Sequence, residues 1–350
     1  MSQSPGLLLT VLAFLAVIGP LVFVHELGHY LVGRWFGVKA DAFSIGFGRE
    51  LFGWTDRRGT RWKVGWLPLG GYVRFAGDMN PASQPDPDWM LLPAEERNRT
   101  FQAKPVWQRA LIVAAGPVTN FLLAILILAL FAMTIGVNRT PPVAGNVQPG
   151  SPAAAAGFRA GDRVVSINGR TVDDFGDFAE YVIARPNQAM SVEIERAGEP
   201  LTLSVAPATQ YREDRFGNRY PFGRLGISSP RPVIERVGIF EAPGVAVAQT
   251  VGIVRMMVDG LGQIISGMRS VEELGGPLRI AQFSGEAASA GLVSFAYLVA
   301  LISINLGFIN LLPVPMLDGG HLLFYAMEAM RQKPVDAQVQ EWAFRSGLLL

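Results

Sequence analysis

The sequence of 350 residues contains no cysteine. This absence excludes structural disulfides, thiolate zinc ligands and a cysteine nucleophile, so any bound metal must be held by histidine and carboxylate groups. Histidine is also scarce, with three in the chain, and charged residues make up only 17%. The net charge of +1 and the lack of long runs of like charge predict no nucleic-acid partner. Half of the residues are apolar, which favours a membrane protein.

Three apolar runs are long enough to cross a bilayer. The first has no charge over residues 7–24 and continues to Phe36, the second covers residues 110–137, and the third runs from about Gly291 to Leu312. A helix needs about 20 such residues to span the hydrocarbon core. A cleaved signal peptide is the alternative for the first run, but "MSQSP" carries no basic residue. The closing "AFRSGLLL" resembles the start of a fourth span.

Residues 244–268 form a further apolar stretch, of a different kind. Arg255 and Asp259 lie in its middle, and each would cost about 3 kcal/mol at the centre of a spanning helix. Together with Gly252, Gln263 and Ser266 they recur at helical spacing. We therefore predict an amphipathic helix that lies in the membrane interface.

Basic residues are concentrated between the first two spans, in residues 34–104, whereas the N-terminal flank has none. The positive-inside rule places this loop in the cytoplasm and the N-terminus outside. Within the loop, "RWKVGWLPLGGYVRF" alternates, with Trp62, Val64 and Trp66 on one face, and "DRRG" before it offers a turn. This pattern predicts a β-hairpin whose aromatic face lies against the membrane.

The motif "HELGH" lies at the inner end of the first predicted span. On a helix it places His25 and His29 one turn apart on one face, the spacing that grips a zinc ion, with Glu26 available as general base on water. Ionisable groups within a span are costly and usually mark function. The alternative is that the helix ends near Val24 and leaves the three residues in water at the interface.

A zinc site needs at least one more protein ligand, and Asp318 in "NLLPVPMLDGGH" is the candidate. Pro313 and Pro315 must interrupt any helix just before it. The alternative role for Asp318 is an N-cap of the helix that follows. His321 is a candidate outer partner of the site or an ordinary polar residue at a helix start. Asn120 and Asn310 are candidates for roles beside the site or for polar links between helices.

The order of crossings decides whether Asp318 can reach the histidines. If residues 244–268 lie in the interface, the first and third spans both run inward and bring His25 and Asp318 to the same side of the membrane. If that stretch crossed, Asp318 would emerge on the opposite side. The interfacial helix and the metal site therefore support each other.

Residues 141–229 form the one clearly soluble module. The series P-G-S-P-A, A-G, G-D-x-V and I-N-G within "NVQPGSPAAAAGFRAGDRVVSINGRTV" resembles a PDZ domain. The later "GRLGISS" is similar to the carboxylate-binding loop and groove strand of such domains, in the circularly permuted bacterial arrangement. This resemblance implies that peptide C-termini or trimmed chain ends bind there.

Taken in order, "HELGH", "FSIGFG", "PLGGYVRF", "AAGPVTNF", the PDZ-like module, "GGPLRIAQ" and "NLLPVPMLDGGH" resemble the bacterial site-2 proteases, a family of intramembrane zinc metalloproteases. The best-known members carry two PDZ domains, whereas this chain shows one. The expected fold class is a multi-span α-helical membrane protein with a membrane-associated β-hairpin and an inserted α+β PDZ-like domain.

The predicted organisation follows the chain from end to end. It comprises transmembrane helix 1 with the HExxH motif at 1–37, a cytoplasmic loop with the hairpin at 38–104, transmembrane helix 2 at 105–138, the periplasmic PDZ-like domain at 141–229, a linker with the interfacial helix at 230–275, transmembrane helix 3 at 276–330 and the start of transmembrane helix 4 at 331–350.

The resemblance implies a role for each matching residue. His25, His29 and Asp318 would bind Zn²⁺ and Glu26 would activate water. Residues that would hold an unwound substrate are Asn310, Pro313, Pro315, Gly70, Gly71, Tyr72 and Val73, the last four as an edge strand.

The substrates implied are single-span membrane proteins already trimmed outside, such as anti-sigma factors or remnant signal peptides. They would be cut in the lipid bilayer of the bacterial inner membrane, near its cytoplasmic side. The alternative is a catalytically silent adaptor that binds membrane partners through the PDZ-like module. Retention of Glu26 argues against the adaptor, because a purely structural metal site needs no general base.

Overall fold

The computed structural model describes residues 6–78, 87–213, 219–229, 231–267 and 276–333. Its helices and strands are α1 Leu7–Trp35, β1 Ala40–Thr55, β2 Arg61–Phe75, a 3-10 helix Pro87–Leu91, α2 Ala94–Arg97, α3 Val106–Thr134, β3 Val137–Asn138, β4 Asn146–Val147, α4 Pro152–Ala155, β5 Arg163–Ile167, β6 Arg170–Thr171, α5 Phe175–Ile183, β7 Met190–Arg196, β8 Glu199–Val205, β9 Ala208–Glu213, β10 Arg219–Arg224, β11 Ile227–Ser228, β12 Ile234–Glu235, α6 Ala242–Ile265, α7 Pro277–Ala290, α8 Leu292–Leu311 and α9 Asp318–Arg331.

Four of these helices, α1, α3, α6 and α8, are long and apolar enough to cross a membrane by length and composition. They fit a multi-span α-helical membrane protein. Helix α6 corresponds to the stretch for which an interfacial position was predicted, and that position stays a prediction. The predicted start of transmembrane helix 4 falls largely on residues 334–350, outside the described residues.

The chain divides into two compact units. The first contains residues 1–128, 246–256 and 275–350, and the second contains residues 129–245 and 257–274. In the first unit α1 and α3 cross closely, because a Cβ atom on Gly28 would lie 2.4 Å from the carbonyl oxygen of Ala115. At the same crossing the Thr119 hydroxyl donates to the carbonyl of Val24 at 3.0 Å. Close packing and polar links of this kind hold helices together in lipid, where the hydrophobic effect does not drive their association.

Strands β1 and β2 form more than a simple hairpin. Residues 42–45 of β1 pair with 61–64 of β2 on one side and with 71–74 of the same strand on the other. Residues 71–75 therefore form an edge of this small sheet within the described chain. The ring of Trp62 stacks on Phe43 at 4.3 Å and packs against the apolar core of the first unit, and the position of the hairpin's aromatic face against a membrane stays a prediction. Trp66 is 61% exposed and lies on the outer surface.

The second unit is built around an antiparallel sheet in the order β6-β5-β7-β8. The β5–β6 turn is Asn168-Gly169, and both residues adopt the positive φ that a two-residue hairpin turn requires. Asp174 caps α5 by accepting from the amide of Asp177 at 3.0 Å. Helix α5 then buries Phe178 and Val182 against the sheet. The result is a small α+β domain with its own apolar core.

Helix α6 contacts this unit at two points along its length. Ala242, at its first turn, belongs to an apolar cluster with Ala132 and Val237. Asp259, near its other end, pairs with Arg185 at 2.6 Å, just beyond α5. The two contacts are about 25 Å apart along a helix that rises 1.5 Å per residue. Both ends of α6 are therefore fixed to one unit.

Candidate metal centre

Two imidazoles and one carboxylate converge in the first unit. His25 and His29 lie on the same face of α1, because residues four apart stack one turn above another. Nε2 of His25 is 3.1 Å from Oδ2 of Asp318, and Nε2 of His29 is 3.6 Å from Oδ1 of the same carboxylate. The two Nε2 atoms are 3.2 Å apart. Both histidines are 8% exposed, so the cluster is shielded from solvent.

The local chain path before α9 brings Asp318 to this position. Helix α8 ends at Leu311, where the prolines at 313 and 315 prevent continuation. A Cβ on Gly319 would lie 2.2 Å from the carbonyl oxygen of Leu312, so only glycine lets the loop fold back onto the start of α9. The N-cap position is occupied by Leu317, and Asp318 is the first helical residue. Asp318 does not act as the N-cap, the alternative role considered from the sequence.

The other ring nitrogens of the histidines are held by groups on α3. Nδ1 of His29 is 2.9 Å from the carbonyl oxygen of Ile112. A carbonyl oxygen only accepts, so in the neutral imidazole Nδ1 carries the proton and Nε2 presents a lone pair. Nδ1 of His25 lies 3.0 Å from Nδ2 of Asn120, and with the amide turned so that its oxygen faces the ring, Nδ1 would donate to that oxygen and Nε2 would present its lone pair. Such partners fix the orientation and tautomer of metal-binding histidines.

Gly116 of α3 leaves the space that the imidazoles occupy. A Cβ atom built on it would lie 2.3 Å from Nε2 of His29 and 2.9 Å from Cε1 of His25. Helix α3 runs continuously through Gly116 and Pro117. Gly116 is important because it has no side chain, and the imidazoles fill the space where one would lie.

The converging atoms fit a metal ion. For metal–ligand bonds of about 2.0–2.1 Å, a tetrahedral zinc site places its ligand atoms about 3.3 Å from one another. The three observed separations are 3.1, 3.2 and 3.6 Å. Where both imidazoles are neutral and turn their lone pairs toward the carboxylate at these distances, a bound cation would relieve the repulsion among them. Three protein ligands also leave one position open, as catalytic zinc requires.

The cluster opens into a cavity of 410 Å³. Residues from four parts of the first unit line it: Val22, His25, Glu26 and His29 of α1, Phe47, Gly70, Gly71, Tyr72, Val73 and Phe75 of the sheet, Val113 of α3, and Leu306, Asn310, Met316, Leu317, Asp318 and His321 around α8 and α9. Glu26 therefore shares one space with the three ligand candidates. Val73 of β2 lines the same cavity as Glu26.

Most of the residues proposed from sequence meet in or beside this cavity. Asn310 lines it and donates to the carbonyl of Leu306 at 3.0 Å. Asn120 lies behind His25, and its backbone carbonyl accepts from the Ser303 hydroxyl at 2.8 Å. Pro313 and Pro315 shape the loop between α8 and α9 and are not among its described lining residues.

Three further residues beside the cluster were missed from the sequence. Phe47 and Met316 line the cavity, and Gly116 packs against the imidazoles. The sequence signal for Phe47 and Gly116 was weak, because apolar and small residues are common in strands and spans. Met316 has a φ of +80°, a backbone strain that the sequence gives no sign of.

An HExxH helix that meets a distant aspartate inside a bundle of long apolar helices defines a membrane-embedded metallopeptidase. The family model described as Peptidase family M50 matches residues 13–350. The chain therefore belongs to this family of zinc-dependent metalloproteases, which confirms the resemblance to the site-2 proteases.

Relatives in other bacteria agree with this assignment. Proteins of Agrobacterium fabrum and Rhizobium meliloti whose names include zinc metalloprotease are each 45% identical, over 97% of this chain and 92% of theirs. Metalloprotease MmpA of Caulobacter vibrioides is 39% identical, over 99% of this chain and 93% of its own. Among solved structures, the PDZ domain of an SdrC-like protein of Listeria monocytogenes covers 27% of this chain and 90% of its own at 17% identity. Its TM-score of 0.20 is too low to determine the fold of the second unit.

Proposed function

We propose that this protein is an intramembrane zinc metalloprotease that hydrolyses a peptide bond in the membrane-spanning segments of single-span proteins already trimmed outside. The observation that carries the proposal is the convergence of His25, His29 and Asp318 with Glu26 in one cavity of the first unit. A catalytically silent adaptor is not favoured, because the chain belongs to a peptidase family.

Each of these four residues has its own role in the proposed reaction. His25, His29 and Asp318 would hold zinc, which when bound supplies a Lewis acid that polarises water and the scissile carbonyl. Glu26 is the general base in the same cavity. It accepts the proton of the attacking water and passes it to the amide nitrogen as the carbon–nitrogen bond breaks.

The edge of the β1–β2 sheet is the proposed substrate platform. A helical substrate hides its peptide bonds in hydrogen bonds, so it must become extended before attack, and pairing with an edge strand stabilises that form. Residues 71–75 form such an edge, and Gly70, Gly71, Tyr72 and Val73 line the cavity beside Glu26. A Cβ on Gly71 would lie 2.7 Å from Cγ1 of Val22, so glycine lets this edge lie close against α1. Asn310, with Pro313 and Pro315 shaping the adjoining loop, would hold the other side.

The second unit is proposed to be a PDZ-like periplasmic domain that binds peptide C-termini or trimmed chain ends. Its support is a groove between α5 and β11 with a volume of 600 Å³. A polar chain end would dock there before or during cleavage, which fits substrates that have lost their outer domain.

The proposed topology has the N-terminus and the second unit in the periplasm, and the metal site near the cytoplasmic side of the inner membrane. It requires that α6 does not cross. The contacts of Ala242 and Asp259 support this, because a spanning helix would carry one of these residues to the opposite side from the domain that both contact. Because the chain lacks cysteine, single cysteines at Ser191 and at Arg58 can be labelled with an impermeant thiol reagent. Labelling of position 58 but not 191 from outside would overturn this topology.

The decisive experiment is Glu26→Gln in the full-length protein, assayed on a single-span reporter. Cleavage should fall by several orders of magnitude while zinc content stays near that of the wild type, since glutamine keeps the shape and cannot accept the proton. Glu95→Gln is the matched control, because Glu95 is an exposed glutamate of α2. Undiminished cleavage by the Glu26→Gln protein would refute the mechanism.

A further inference from the structure

The groove of the second unit has one apolar and one basic component. Its apolar wall includes Phe178, Val182 and Ile183 of α5, with Leu225 and Ile227 facing them from the strand side. Two arginines, Arg212 and Arg224, also line it, and no aspartate or glutamate is among its described lining residues. The groove is therefore basic as well as apolar.

The charge of Arg224 is not neutralised within the described part of the chain. Its guanidinium donates to the side-chain oxygens of Gln210 at 3.2 Å and Gln148 at 3.3 Å, both neutral groups. Arg212 lies over the ring of Phe222 at 5.5 Å, a contact that orients a guanidinium and leaves its charge in place. Both arginines are exposed at the groove.

Three other arginines of the same unit have carboxylate partners. Arg196 binds Asp162, Arg185 binds Asp259 and Arg139 binds Glu241. Among the described residues the two at the groove have no carboxylate partner, so their donors face the groove. A guanidinium beside an apolar slot matches a carboxylate side chain next to an apolar anchor, because it can donate two parallel hydrogen bonds.

Strand β11 sets the direction in which a bound peptide would run. It pairs with β4 on one side, Ile227 with Val147 and Ser228 with Asn146. An extended peptide can add on its other side, toward α5, by backbone hydrogen bonds. Alternate side chains of that peptide then point to opposite sides, so one can enter the apolar slot while a neighbour reaches the arginines.

We propose that this groove selects extended chain ends that carry an acidic side chain within a few residues of an apolar terminal residue, with Arg212 and Arg224 as the residues that recognise the acid. The inference rests on the proposed peptide-binding role of the second unit. The chain ends that bind this groove would therefore be acidic and apolar, and not basic.

The test uses the full-length chain in detergent, in the Glu26→Gln background so that no peptide is consumed. Three fluorescent decapeptides ending in valine are compared by polarisation, with Glu, Gln or Lys at each of the three positions before the last. The acidic peptide should bind about fivefold more tightly than the Gln peptide at low salt, and this margin should shrink as salt screens the charges.

Variants then assign the preference to the two arginines. Arg212→Gln with Arg224→Gln should remove the margin between the Glu and Gln peptides. Arg212→Glu with Arg224→Glu should favour the Lys peptide. Arg236→Gln, which alters an exposed arginine outside the groove, should bind as the parent does.

Equal binding of the Glu and Gln peptides by the parent protein would overturn the acidic preference while leaving a peptide groove in place. Binding of none of the three peptides would overturn the groove itself. Neither result concerns hydrolysis, which the Glu26→Gln comparison on the membrane reporter tests separately.

Discussion

Arg109 and Glu328 form an ion pair of 2.6 Å that ties the start of α3 to the end of α9. Their side chains are 13% and 16% exposed, and the guanidinium of Arg109 also lies over the ring of Tyr325 at 4.9 Å. Because α9 begins at Asp318, this pair fixes the position of the helix that carries a proposed metal ligand. The ion pair therefore affects Asp318 indirectly, through the position of α9.

Glu328→Gln should therefore loosen α9 and reduce zinc retention. Removing one partner of a poorly exposed ion pair leaves an uncompensated charge, and we expect a local loss of about 3 kcal/mol. Hydrogen exchange of the α9 amides and zinc content by mass spectrometry measure the two effects. The exchanged pair Arg109→Glu with Glu328→Arg should restore part of the exchange protection and part of the zinc content. Glu95→Gln, which alters an exposed ion pair, should change neither the exchange protection nor the zinc content. Normal zinc content in Glu328→Gln would contradict the positioning role.

Gly116→Ala should abolish metal binding with little effect on helix formation. The new Cβ would occupy the space 2.3 Å from Nε2 of His29, and the nearby backbone of a packed helix cannot give way by that amount. Zinc content after purification is the measurement. Gly19→Ala on α1 is the matched control, because a Cβ there meets nothing within 4 Å. If Gly116→Ala retained full zinc, the close packing of α3 against the imidazoles would be wrong.

Asp318→Ala should lower zinc affinity by more than the roughly 10- to 100-fold that loss of an outer hydrogen-bond partner costs. The reason is the removal of one of three ligand groups from a site with distances of 3.1–3.6 Å. Competition with a chromogenic chelator gives the affinity. Asp41→Ala provides the control, since Asp41 pairs with Lys39 near the start of β1. Unchanged affinity would mean that another residue completes the site.

Asp162 should make the second unit sensitive to acid. Burial raises the pKa of its carboxyl, but hydrogen bonds from Arg196 and the Arg159 amide outweigh burial and hold that pKa below its ordinary value of 3.8. A depressed folded-state pKa adds stability that is complete above 3.8 and is lost as the pH falls through the folded-state value. The contribution is therefore constant at neutral pH and disappears only in strong acid.

Asp162→Asn should cost about 2 kcal/mol at neutral pH, as for a buried hydrogen bond to a charged group. Hydrogen exchange of β5 and β7 in the full-length protein would report it, and the difference from wild type should vanish in strong acid. A difference that persisted in acid would show that the carboxylate charge is not the source. Asp173→Asn, at an exposed position of the same unit, serves as the neutral comparison.

The apolar helices could be predicted from local composition, because a span needs only an uninterrupted apolar run of sufficient length. Half of the site could also be predicted, since residues four apart on a helix share a face whatever the fold. The Asn168-Gly169 turn and the prolines that end α8 are likewise local effects, written in residues next to one another. Family membership followed from these motifs and their order.

Only the tertiary structure decided what distant residues do to one another. It brought Asp318 to His25 and His29, put Asn120 behind His25, and showed that Gly116 yields the space for both rings. It turned Trp62 inward and made residues 71–75 an edge strand, because β1 pairs on both sides. None of these follows from local pattern, since each depends on how closely two separate elements approach, and packing over a few ångströms decides that distance.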